Sequence, residues 1–101
     1  MDKFTFQYGG RIYVIPEGCR SALELYVSDG LHPGGFVLSI LENDFVRAVG
    51  AADEENMANL PAYANYLYNH IPGNCWGSPK IVADWINMKN AEGDPNVTPD
   101  P

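Results

Sequence analysis

Few side chains in this 101-residue chain are of the types that break and make bonds, and their spacing does not gather them into a site. The thiols of Cys19 and Cys75 match no CxxC metal or redox pattern. Cys19 falls on the apolar stripe of a predicted helix and reads as core packing, whereas Cys75 lies in a loop beside Trp76 where solvent can reach it. Two free thiols are the plain reading, and a Cys19–Cys75 disulfide is the alternative. The only imidazoles are His32 and His70. His32 precedes Pro33 in a loop, with Asp29 close enough in sequence to hold it; His70 sits at a helix C-terminus, where the dipole favours a cation. Asp53, Glu54 and Glu55 are consecutive, so their carboxylates point in different directions and make no acid–base pair. These residues lead to the expectation of no catalytic residue, no metal site and no cofactor.

Two other segments offer main-chain chemistry. Pro33-Gly34-Gly35 opens one apolar block and Trp76-Gly77-Ser78-Pro79 opens another. The first N–H groups of a helix attract anions, and glycine lets a ligand approach the backbone. The spacing is neither GxGxxG nor GxxxxGK[ST], so neither segment is a dinucleotide or P-loop signature. A turn that redirects the chain is the simpler reading of the first, and a helix-starting box that of the second, with Trp76 as a stacking surface.

The elements that must position these residues follow from pattern. Phe4-Thr5-Phe6-Gln7-Tyr8 and Arg11-Ile12-Tyr13-Val14-Ile15 flank Gly9-Gly10, which predicts a β-hairpin over 3–15. Cys19, Ala22, Leu23, Tyr26 and Val27 repeat at helical spacing over 17–28, with Gly30 placed for a left-handed cap. Short helices are expected over 35–42 and, after an Asp44 cap, 44–50. A longer one runs over 53–69 from an Asp53 cap, kinked or restarted at Pro61. Ser78-Pro79 starts the last, over 79–88. Residues 89–101 carry no apolar pattern and are expected to form a disordered tail. The fold class is therefore α+β: one domain over 1–88, with the hairpin packed on four to five short helices.

Apolar residues make up 46% of the chain, enough for a core, and the net charge is −7. Residues 51–101 hold seven acids against two bases. That balance excludes the basic stripe of a nucleic-acid binder and leaves solubility, or docking on a basic protein, as the role of the surface. No stretch reaches transmembrane length, and Met1-Asp2-Lys3 is not followed by the apolar run of an export signal. A domain this small gains from oligomerisation, and its twelve aromatics suit an interface.

From Ile15 to Ile86 the chain resembles a family of small proteins encoded by bacteriophages and prophages. The residues carrying the resemblance are Ile15-Pro16, Leu23, Tyr26, Pro33-Gly34-Gly35-Phe36, Leu41 and Asn43-Asp44. They continue with Ala52-Asp53, Asn56, Tyr63, Leu67-Tyr68-Asn69, Pro72, Trp76-Gly77-Ser78-Pro79, Val82 and Trp85. The resemblance implies a viral protein in the host cytoplasm. With no catalytic constellation, the expected role is binding: an oligomeric anti-defence factor that sequesters a nucleotide-type immune signal. Gly34, Gly35 and Ser78 would donate N–H groups, Tyr26 or Trp76 would stack on the base, and His32, Arg47 and Lys80, with Arg11 and Arg20, would supply polar and positive groups. The alternative is an acidic protein–protein inhibitor of a host nuclease or defence complex.

Overall fold

A computed structural model describes residues 2–93. The fold is α+β, an N-terminal hairpin packed against six helices. Strands β1 (Thr5–Tyr8) and β2 (Arg11–Val14) pair antiparallel in the register Phe6↔Tyr13 and Tyr8↔Arg11. Gly9 and Gly10 turn the chain with φ of +61° and +77°, which glycine adopts without steric cost. An isolated hairpin is marginal in water. This one is anchored at its base, where Phe4 and Ile15 are buried, the Phe4 ring stacks on Tyr66 at 5.5 Å, and the Val14 N–H donates to Asn59 Oδ1 at 2.9 Å.

The helices are α1 (Glu17–Asp29), α2 (Gly35–Leu41), α3 (Phe45–Ala51), α4 (Glu54–Ala58), α5 (Leu60–His70) and α6 (Pro79–Gly93). The predicted 53–69 helix is two, because Asn59 leaves helical geometry and Pro61 occupies the first turn of α5, where its missing N–H costs nothing. The capping expectations hold: Asp44 accepts from the Arg47 N–H, Asp53 from the Asn56 N–H and Ser78 Oγ from the Ile81 N–H. Gly30 ends α1 at φ +68°.

The last helix outruns its predicted end at residue 88. Lys89 packs its stem on the Gly30 turn and holds its ammonium 4.9 Å from the Trp85 ring, so α6 continues over the first residues assigned to the tail. Residues 94–101 of the expected tail lie outside the described residues.

Leu23 and Tyr26 of α1, Val37 and Leu41 of α2, Tyr63, Tyr66 and Leu67 of α5, and Val82 and Trp85 of α6 meet in one core, closed by Cys75 from the α5–α6 turn. No helix is long and apolar enough to cross a membrane among the described residues.

Candidate functional site

The predicted ligand groups do not converge. Gly34 and Gly35 are exposed at the N-terminus of α2, whereas the Gly77 N–H donates to the Leu41 carbonyl at its C-terminus, 2.8 Å away. A seven-residue helix is about 10 Å long, so the Gly34-Gly35 and Trp76–Lys80 groups sit at opposite ends of it. Tyr26 is not a stacking surface: it is fully buried, and its hydroxyl donates to the Cys75 carbonyl at 2.7 Å. Its phenol pKa is raised, chiefly by burial. Trp76 is half-buried against the core.

The expected cations are engaged on the surface. Lys80 pairs with Asp84 at 2.7 Å, one helical turn on, which holds its pKa up, and Arg47 lies 3.5 Å from Glu42. His32 is exposed, and its Nδ1–H donates to the adjacent Pro33 carbonyl at 2.9 Å, in place of the expected Asp29 partner.

Cys75 corrects a further expectation. It is fully buried rather than open, its Sγ lies 3.1 Å from the Pro72 carbonyl, and burial pushes its thiol up to about 11. A thiol so protonated is a poor nucleophile. Both cysteines are free, so the disulfide alternative does not hold. Cys19 lies 3.7 Å from Asn56 Oδ1, which also accepts from the Tyr63 hydroxyl at 2.5 Å. Desolvation is the main cause that raises the Tyr63 pKa. This Cys19–Asn56–Tyr63 cluster, buried at Asn56 and Tyr63 and half-buried at Cys19, joins α1, α4 and α5. Among the described residues no group of three or more His, Cys, Asp or Glu side chains is placed to hold a metal ion.

What the helices do build is a groove. It has a volume of about 290 Å³ and lies where α2 and α3 meet α5. Ile40, Phe45, Ala48 and Val49 form one wall; Leu60, Pro61, Ala64 and Leu67 form the other. The turn between α2 and α3 sets its shape: Asn43 takes a left-handed φ of +59°, and the Asp44 cap starts α3 at once. Of the polar residues around it, Ser39 is buried and donates to the Gly35 carbonyl, while Asn43 and Asp44 stand at the exposed rim.

Phe45 is 73% exposed and the adjacent Val46 79% exposed. Only Ala48 of α3 is buried, so this helix carries more large apolar side chains than its own core contact uses. That excess was visible in Phe45-Val46-Arg47-Ala48-Val49, but the segment reads as a bare extra turn until its neighbours are in place. No family model, no curated protein and no solved structure matches this chain.

Proposed function

We propose that this protein is a non-enzymatic inhibitor of the phage type that docks on a host protein. An apolar segment of that protein enters the α2/α3/α5 groove, while the acidic surface steers the approach to basic ground around it. The observation that carries this reading is the groove itself, apolar along both walls, with Phe45 of its lining and the adjacent Val46 standing in water. Each such side chain gains about 1.5–3 kcal/mol when it is fully buried, so the lip is where a partner draws most from contact. The net charge of −7 suits a basic partner and a salt-sensitive association rate. The nucleotide-sequestering reading has less support, since its amide donors lie about 10 Å apart and Tyr26 is inside the core.

The test starts with the protein captured from host lysate by the wild-type chain, then purified. The double variant Phe45→Asp, Val46→Asp, shown by circular dichroism to be folded, is expected to bind it at least about tenfold more weakly. Added salt is expected to slow association and leave dissociation unchanged. Undiminished affinity of the variant overturns the reading. Heat released on titrating cyclic or linear nucleotides into the wild-type protein would restore the sequestration model.

A further inference from the structure

We propose that the chain also associates with itself head to tail, the tip of its hairpin seating in the α2/α3/α5 groove of a second copy. The inference rests on the groove being a protein-docking surface, and it names a partner already present in solution.

The hairpin carries an aromatic face that leaves the core at its tip: Phe6 and Tyr13 are half-buried and pack against the core, and Tyr8 stands in solvent. Phe6, Tyr8 and Tyr13 lie on one face, with Phe6 6.1 Å from Tyr8 and 6.5 Å from Tyr13. Burial declines along that face from Phe4 at the base to Tyr8, which is 71% exposed. The Arg11 guanidinium lies 5.1 Å from the centre of the Tyr13 ring, which puts a cation beside the aromatic tip.

Charge separates the two ends of the contact. Residues 1–20 hold Lys3, Arg11 and Arg20 against Asp2 and Glu17, a net +1. The rest of the chain holds Arg47, Lys80 and Lys89 against eleven carboxylates, a net −8. The groove is uncharged along its walls and carries Asp44 on its rim, where one carboxylate oxygen caps α3 and the other is open to a cation. Tyr8 in the groove with Arg11 over Asp44 matches ring to apolar wall and cation to anion.

The hairpin cannot reach the groove of its own chain. It packs on the α5 face that carries Tyr66, whereas the groove uses the face carrying Leu60, Ala64 and Leu67. The contact is therefore heterologous, and it builds a ring if the rotation closes or an open chain if it does not. A hairpin tip buries less than the roughly 1,200 Å² of a standard interface, so the association is weak and depends on concentration.

Sedimentation equilibrium of the full chain tests this. The wild type is expected to exceed monomer mass as concentration rises. A tip variant, Tyr8→Ser with Arg11→Glu, and a groove variant, Ala64→Arg, change exposed positions, and each is expected to stay monomeric. Mixed together, they are expected to form a discrete 1:1 dimer, because one retains the groove and the other the tip. A wild type that is monomeric to its solubility limit, or single variants that associate as the wild type does, overturns the proposal. A monomeric chain that still needs Phe45 and Val46 to hold a host protein overturns self-association alone. Head-to-tail association alongside host binding that ignores Phe45→Asp, Val46→Asp overturns the host reading alone.

Discussion

The hydroxyl of Tyr26, in α1, donates a 2.7 Å hydrogen bond to the backbone carbonyl of Cys75, 49 residues further along the chain. The Tyr26 carbonyl in turn accepts the Trp85 indole N–H at 3.0 Å and the Gly30 N–H at 2.9 Å. One residue thus ties the α5–α6 turn, α6 and the end of α1 together, and its bond to Cys75 is made wholly inside the protein.

Tyr26→Phe therefore removes a buried donor while keeping the ring. The Cys75 carbonyl loses its partner, a change that costs about 1–3 kcal/mol. For a domain of this size each kcal/mol lowers Tm by about 4–8 °C. Urea denaturation checks it: a midpoint equal to the wild type's would show that the bond contributes nothing.

Alkaline pH should weaken the fold. Burial pushes the Cys75 thiol from 9 up to about 11 and the Tyr66 phenol from 10 up to about 12, with Tyr26 and Tyr63 also raised. Each group holds its proton more tightly folded than unfolded. Their contribution is complete below pH 9 and is lost as pH rises through 9–12. Denaturation midpoints measured upward from neutral pH are expected to be level in this respect until about pH 9 and then to fall. Iodoacetamide at neutral pH should label Cys75 only after denaturant is added; rapid labelling in the native protein would contradict its burial.

Glycines 30 and 35 should respond in opposite ways. A Cβ on Gly30 would meet Lys89 Cβ at 2.5 Å, and its φ of +68° is unfavourable to alanine. Gly30→Ala is expected to destabilise by more than about 1 kcal/mol. Gly35 begins α2, and a methyl group there would meet nothing within 4 Å, so Gly35→Ala is expected to be neutral or to stabilise. The gain from a less free unfolded chain is about 0.4–1 kcal/mol. Thermal melts of the two variants decide it; equal losses would contradict this account.

Much of the fold was legible because its signals are local. Gly9-Gly10 between alternating runs, the Asp44 and Asp53 caps, Gly30 and Ser78-Pro79 each act on the few residues beside them. The helix break at Asn59 was marked only by the nearby Pro61. The extra turns of α6 were not marked at all, since they depend on Lys89 packing against the Gly30 turn, far back in the chain. The site was less legible for the same reason. Glycine and aromatic residues at helix starts look alike whether they face solvent or the core, and only the packing shows that Tyr26 points inward. The groove needs α2, α3 and α5 together, so no single segment announces it.

The Cys19–Asn56–Tyr63 cluster should behave as a unit. Asn56→Ala leaves the buried Tyr63 hydroxyl without its acceptor, and Tyr63→Phe removes the donor. Each single change is expected to cost about 1–3 kcal/mol, and the double variant less than the two added together. Additive losses in a double-mutant cycle would show that the two side chains do not interact.

The most direct test of groove binding is to see where a host protein touches. A photo-reactive phenylalanine analogue placed at Val46, the exposed α3 residue next to the groove-lining Phe45, is compared with one placed at Met88, an exposed position on α6. Irradiation of each with the purified host partner is predicted to give a covalent adduct from position 46 and none from position 88. An adduct from 88 with none from 46 would contradict the assignment of the groove as the binding surface.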